Sequence, residues 1–338
     1  MWLNNSLLDT PRGCEHSRLV DLGSRVRSRS VIEDHDGASG ARLERAVLDD
    51  GSSLILKLCN HETDLSMLIP GRIKPLDVQL WQEGHFDRLP EVMGHAVRGA
   101  WQEDGFWVLA MDDLGDRLLS YASVVSRVQC RQVLAAACAM HDRFAGDPPS
   151  GLWSAEDRMT VFAPRTMRPF AAGDNSLPGW CLQGWERFES LAPPDVRDLV
   201  YGIHQDPRGL AQVLADLGPT TLLHGDYWTP NLAPTPGQVV AIDWALATSG
   251  SPAPEFVSFL VGCGGQVQAS KEEILSDITE LWAGRYDERL LTVALILGLV
   301  EMGWNLSLSA SEGSPAARAE WQWWVDAARR SADTGLIG

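Results

Sequence analysis

Between residues 24 and 60, apolar and polar positions alternate in three short runs. Arg27 to Glu33, Arg42 to Leu48 and Ser53 to Cys59 each read as a strand. Asp49-Asp50-Gly51 between the second and third is a hairpin turn, and Asp36-Gly37-Ala38-Ser39-Gly40 is a looser turn before the second. Leu76 to Phe86 then takes helical spacing, with Pro75 at its start. Phe106 to Met111 is an apolar strand followed by Asp112-Asp113-Leu114-Gly115. After Asp116 the pattern becomes helical. Val128 to Phe144 is an Ala-rich helix, and Pro148 to Pro194 reads as an irregular helical insertion. Residues 270–284, 288–307 and 315–331 read as amphipathic or buried helices.

Two apolar runs interrupt this helical half. Thr220 to Leu223 leads into a polar loop. Residues 238–242 follow a turn at Pro234, Pro236 and Gly237 and end on Asp243. Two short runs around such a turn predict a hairpin. The expected fold class is therefore α+β and two-lobed: an antiparallel sheet over residues 1–112, then a larger, mainly helical part over 113–338, with 145–200 as a substrate-side insertion.

The loop between those runs carries the chemistry. It reads His224-Gly225-Asp226-Tyr227-Trp228-Thr229-Pro230-Asn231, the spacing His-x-Asp-x-x-x-x-Asn, and the next strand reads Val239-Val240-Ala241-Ile242-Asp243-Trp244. Phosphoryl transfer from a nucleotide needs a carboxylate to accept the proton of the attacking hydroxyl and oxygen ligands for a Mg²⁺ that bridges the phosphates. Asp226 suits the first role, and Asn231 and Asp243 suit the second. No G-x-x-x-x-G-K-[ST] loop exists, which excludes a P-loop kinase.

On these two motifs the chain resembles the aminoglycoside phosphotransferase family, small-molecule kinases with a protein-kinase-like fold. The resemblance implies Asp226 as catalytic base, with His224 holding the loop in shape, and Asn231 and Asp243 as Mg²⁺ ligands. Gly225 stands where protein kinases have Arg, which argues for a small-molecule rather than a protein substrate. The family's third-strand lysine, which holds the α and β phosphates, falls on Lys57. The acid that orients it falls on Asp77, with Glu83 as the other candidate. The phosphate-covering turn falls on Asp36 to Gly40, with Ser39 and Gly40 nearest the nucleotide, although a full G-x-G-x-x-G is missing. Backbone at Ala110, Met111 and Asp112 falls where the family reads the adenine edge. Glu255 occupies the place of the family's second acid and is expected to fix the loop; His141 is expected to pack and hydrogen-bond. The implied cofactors are ATP, with GTP as the alternative, and Mg²⁺.

Composition bounds the remaining classes. A net charge of −17 and a pI near 4.8 exclude the basic footprint of a nucleic-acid binder and are compatible with a cationic acceptor. Only Lys57, Lys74 and Lys271 are lysines, so each position carries information. The six cysteines are scattered, as expected of reduced, buried thiols in a cytoplasmic protein. No unbroken apolar run of about 18 residues is present, and Met1 to Ser17 does not resemble a secretion signal. Trp228 and Trp244 flank the motif and either stack on a ring or pack the core. Trp180, Trp185, Trp304, Trp321, Trp323 and Trp324 pose the same choice, and a cluster of them in a cleft would favour a ringed substrate. The expected activity is transfer of the ATP γ-phosphate to a hydroxyl of a small molecule, cationic or ringed, with an antibiotic or related natural product as the foremost class and a monomer or homodimer as the acting form. A metabolic kinase for an amino alcohol or sugar, a nucleotide-binding pseudokinase, and a phosphohydrolase using His204 and Asp206 are the competing readings.

Overall fold

The computed structural model describes residues 26–33, 39–282 and 284–337. The readings made for Met1 to Ser17, for Cys14 and for Asp36 to Ala38 lie outside the described residues. The chain begins with β1 (Val26–Val31), β2 (Arg42–Leu48) and β3 (Ser53–Cys59), then the helices α1 (Leu65–Leu68) and α2 (Leu76–Gln82), and then β4 (Met93–His95), β5 (Val97–Glu103) and β6 (Phe106–Asp112). Five of these strands form an antiparallel sheet in the order β1-β2-β3-β6-β5. The β2–β3 turn closes as its sequence requires. Gly51 takes φ +83°, a left-handed conformation that costs glycine little, and Ser52 donates its amide to Asp50 Oδ1 at 2.9 Å.

Alternation along β3 sorts its two faces. Leu54, Leu56 and Leu58 pack with Ala46, Leu48, Val108 and Ala110 in a small core of their own. Ile55 and Lys57 therefore face the other way, toward α2 and the rest of the molecule. A lysine is thus buried on the side where the two lobes meet.

The helical part runs α3 (Arg127–Phe144), β7 (Trp153–Ser154), α4 (Ala155–Thr160), α5 (Pro164–Met167), α6 (Leu177–Leu191), α7 (Pro194–Gln205) and α8 (Arg208–Leu217). There follow β8 (Thr221–Leu223), β9 (Leu232–Thr235), β10 (Gln238–Ala241), β11 (Thr248–Gly250) and α9 (Ala253–Cys263). The chain ends with α10 (Lys271–Trp282), α11 (Arg289–Ala294), α12 (Leu297–Ser311) and α13 (Pro315–Ala332). Ser126 and Gln129 close a reciprocal capping box at the start of α3.

The strand pairing expected around the polar loop is corrected. β8 does not pair with β10. It pairs antiparallel with β11, and β10 pairs antiparallel with β9 and parallel with β4. The reason is chain length. The turn at Gly237, with φ +82°, leaves room only for the strand immediately before it, so Leu232–Thr235 becomes the hairpin partner. The expected helix over 288–307 is likewise two, α11 and α12, broken at Leu295 and Ile296. An 18-residue window of the stretch Arg289–Ser311 reaches a mean hydropathy of 1.6, enough in length and composition to cross a membrane, although its unbroken apolar run, residues 293–300, is short. In the fold it is a core segment whose side chains are buried on nearly all sides.

α6 and α12 pack closely because Gly184 lets them. A Cβ at Gly184 would lie 2.3 Å from the Trp304 carbonyl oxygen, and Ser307 Oγ donates to the Gly184 carbonyl at 2.6 Å. Gly184→Ala must push the helices apart and is expected to destabilise by about 1–3 kcal/mol. Gly202→Ala, in the open middle of α7, is expected to stabilise by up to about 1 kcal/mol, since nothing lies within 4 Å of its added methyl. Denaturant melts of the two variants check the opposite signs; equal shifts would contradict the packing argument.

Candidate active site

The loop after β8 is held by buried groups on every side. Glu255, at the start of α9, accepts the amides of His224 at 2.8 Å and Gly225 at 2.9 Å. Burial pushes this carboxyl up, but hydrogen bonding from His141 and from the His224 amide outweighs it, so it stays below the usual glutamate range. His141 Nε2 lies 3.6 Å from Glu255 Oε1, and its ring packs edge-on against Phe256. His224 Nε2 lies 2.9 Å from the Ile242 carbonyl, and its Nδ1 accepts the Asp226 amide at 3.3 Å. Those two partners require a neutral ring that donates from Nε2, and burial accordingly pushes the imidazole pKa down. His224 thus ties the loop to the end of β10 and has no nitrogen left for proton transfer.

Gly225 explains the absence of a side chain before Asp226. Its φ is +80°, and a Cβ there would stand 1.8 Å from the Leu246 carbonyl oxygen. Its own carbonyl accepts Arg158 Nε at 2.9 Å.

Four of the expected groups converge. Asn231 Nδ2 donates to Asp226 Oδ2 at 2.8 Å and to the Asp226 carbonyl at 2.9 Å. With its nitrogen used in this way, the amide leaves its oxygen for other partners. Ile242 donates its amide to the Asn231 carbonyl at 2.9 Å, which sets Asn231 beside Asp243. Asp243 has φ +61°, uncommon for any residue but glycine and tolerated best by Asn and Asp. Lys57 Nζ donates to Asp243 Oδ1 at 2.7 Å and stands 3.6 Å from Asp77 Oδ2. Of the two acids considered as partners of Lys57, the fold selects Asp77; Glu83 pairs with His85 at 3.2 Å.

These contacts set the ionisation states. Burial tends to lower the Lys57 pKa, but the carboxylates of Asp243 and Asp77 raise it well above its ordinary value. Burial tends to raise that of Asp243, and the Lys57 charge and hydrogen bond bring it below the usual range. Asp77 is pushed up to about 6 by burial, against the opposing pull of Lys57. Asp226 is also pushed up to about 6, by burial and by the neighbouring charge of Asp243, while Arg158 and the Asn231 hydrogen bond lower it.

Lys57, Asp226, Asn231 and Asp243 all line one cavity of about 880 Å³. Ser39, Met111 and Asp112 line it too. Ala110 lies instead in the small sheet core, and Gly40, with φ +99°, packs against the Thr63 carbonyl while the Ser39 carbonyl accepts the Leu65 amide. Trp244 is buried against His224 and Phe86, whereas Trp153, Trp180, Trp228 and Trp304 line the cavity. Trp185, Trp321, Trp323 and Trp324 lie elsewhere: Trp185 packs on Phe188, Tyr201 and His204, Trp321 on Phe188, and Trp323 on Trp324. His204 is buried at the end of α7 beside the Val300 carbonyl, and Asp206 pairs with Arg208, so neither reaches the cavity. Among the described residues, no three His, Cys, Asp or Glu side chains are grouped to hold a metal by themselves.

Arg158 was invisible to sequence reasoning, because a single Arg in an irregular insertion carries no periodic or spacing signal. Burial makes it conspicuous. It is 5% exposed, pairs with buried Glu301 at 3.1 Å, holds the Gly225 carbonyl and lines the cavity.

Asp226 yields a signed prediction. Its pKa is about 6 in the fold against an ordinary 3.8, so the folded chain binds that proton more tightly than the unfolded chain. The resulting stability is present in full below about pH 4 and is lost as pH rises through about 6. Asp226→Asn is expected to be more stable than the parent at pH 7.5, by on the order of 1–3 kcal/mol, with the gap closing by pH 4. Urea unfolding across that range measures it; a variant no more stable at any pH would contradict the assigned burial.

A family model described as a phosphotransferase enzyme family matches residues 36–286. No curated protein sequence matches the chain significantly. Solved structures do. A choline kinase from Streptococcus pneumoniae superposes with a TM-score of 0.54 at 12% identity, over 92% of this chain and 96% of that one. An aminoglycoside phosphotransferase from Alicyclobacillus acidocaldarius gives 0.50 at 13% identity, over 97% and 96%. An amicoumacin kinase, solved in complex with AMP-PNP, Ca²⁺ and Ami, gives 0.51 at 13% identity, over 96% and 95%. At these identities the likeness is one of fold.

Proposed function

The chain belongs to the phosphotransferase enzyme family, and from that premise we propose that it moves the γ-phosphate of ATP, with Mg²⁺, to a hydroxyl of a small molecule, foremost an antibiotic or related natural product. The observation that carries this reading is the convergence of Lys57, Asp226, Asn231 and Asp243 on one cavity. In this reading residues up to 112 hold the nucleotide, and residues 113–338 carry the catalytic loop and the acceptor.

The donor set fits the metal. A hard divalent cation takes oxygen ligands, and Asp243, kept anionic, and the Asn231 amide oxygen would supply two. Bound there with the nucleotide, Mg²⁺ would neutralise charge on the phosphates. Lys57 adds a fixed positive charge beside this donor set, held between Asp77 and Asp243. Asp226 orients the acceptor hydroxyl and takes its proton. A loose transition state asks for little proton transfer early, so a carboxylate of modest basicity is sufficient. GTP in place of ATP is the alternative donor. The amicoumacin kinase is a relative in fold that binds Ami with a nucleotide analogue and a divalent cation. A metabolic role remains the competing reading, favoured by the fold likeness to a choline kinase.

ADP release from Mg²⁺-ATP across a panel of hydroxylated acceptors tests the proposal. Acceptor-dependent turnover is expected, with Asp226→Ala lowering kcat by roughly 10²–10⁴. Absence of any Mg²⁺-ATP binding would overturn the reading. The kcat profile is expected to fall on the acid side, where Asp226 becomes protonated and can no longer accept the hydroxyl proton, and Asp226→Asn is expected to lose that limb. A limb that persists in the variant would remove Asp226 from that role.

A further inference from the structure

On the phosphotransferase reading above, we propose that the acceptor is a hydroxylated molecule with an apolar ring face and at most one positive charge, and not a polycationic amino sugar. Two groups of elements line the cavity beside Asp226, Asn231 and Asp243. The sheet and Met111 to Gly115 form the first, with Lys57. α4, α6, α12 and the segments between them form the second, and this end takes the acceptor.

That second end is aromatic and aliphatic. Val161, Phe162, Trp180, Met302, Trp304 and Leu308 line it. Phe162 and Trp304 face each other with ring centroids 6.2 Å apart. Trp180 is 52% exposed although it is a large apolar side chain, so much of its ring is open to solvent in the ligand-free protein. Asn305 and Ser309, one turn apart on α12, supply neutral hydrogen-bonding groups at the same wall. This is the lining expected for a ring carrying a few hydroxyls.

Charge argues the same way. A ligand with several ammonium groups needs several carboxylates to replace its lost hydration. The carboxylates of this cavity are already committed. Asp112 holds Arg98, Asp113 holds Arg45, and Asp243 holds Lys57. Asp226 accepts Asn231 and lies near the positive charge of Arg158. Glu301 is buried against Arg158 and is not a wall residue. Glu312, at the exposed rim, is the one further acid of the lining among the described residues. The net charge of −17 draws cations toward the protein from a distance, but little of it is available inside the acceptor end.

In the reaction so defined, the bond from the γ-phosphorus to the β–γ bridging oxygen breaks and a bond forms to the acceptor oxygen. ADP leaves with the bonding electron pair, and the hydroxyl proton passes to Asp226 and then to solvent.

The test measures ADP release from Mg²⁺-ATP with three acceptor groups. The first is ring-bearing and neutral or singly charged: erythromycin, lincomycin, uridine and arbutin. The second is polycationic: kanamycin and neomycin. The third is acyclic: choline and ethanolamine. Turnover is expected in the first group, with Trp180→Ala raising the acceptor KM about ten-fold and leaving the KM for ATP unchanged. Because Trp180 is half-exposed, its removal is compatible with folding; a matching melt confirms it. Turnover confined to the second or third group would overturn the proposal, as would none in the first group from a protein that binds Mg²⁺-ATP. Failure to bind Mg²⁺-ATP would instead overturn the phosphotransferase reading beneath it.

Discussion

The arrangement turns on one buried ammonium group. Lys57 is 5% exposed, in the middle of a strand whose neighbours are leucines, and its charge is tolerable there only with anions in contact. It finds them in Asp77, from α2, and Asp243, from the end of a strand in the other lobe. The sheet and the catalytic part of the helical lobe are therefore joined at a single charge cluster. The same cluster keeps Asp243 ionised in a buried setting, the state a hard cation requires.

A second buried charge organises the loop. Glu255 accepts two successive amides, those of His224 and Gly225, the same sense in which consecutive backbone N–H groups receive an anion. The carboxylate fixes the backbone, Gly225 permits the close approach to Leu246, and Arg158 holds the carbonyl that remains. Asp226 is left with an orientation determined by its neighbours and a pKa raised by burial. The folded chain stores unfavourable free energy at this carboxylate, a familiar trade between stability and activity.

The distribution of charge separates attraction from recognition. The chain is strongly acidic overall, yet the acids around the cavity are spent on arginines, on Lys57 and on the loop itself. Aromatic and aliphatic side chains from the insertion and from α12 make up the acceptor end. Close contact of α6 and α12 at Gly184 builds that wall, so the glycine, far from the chemistry, shapes what the protein admits.

Local patterns determined a good deal. The alternation of β2 and β3, the Asp-Asp-Gly turn, the helical spacing after Pro75 and the His-x-Asp-x-x-x-x-Asn loop are short-range features, and each followed from neighbours in the chain. Lys57 and Asp77 were legible through the resemblance, which implies a phosphate-holding lysine on the third strand and an orienting acid on the helix after Pro75, with Glu83 left open there. What escaped depended on distant partners. The pairing of β8 with β11 and not β10 rests on the tight turn at Gly237, which has already joined β10 to β9. The part played by Arg158 arises only when residues 158, 225 and 301 meet, and the sorting of the tryptophans into core and cavity wall depends on which helices face each other. The sequence by itself determined the elements and the identity of the reactive groups, because these are set within a few residues. Only the tertiary structure decided which acids are already neutralised and which rings remain open to a ligand, because burial and charge pairing are properties of groups brought together from far apart in the chain.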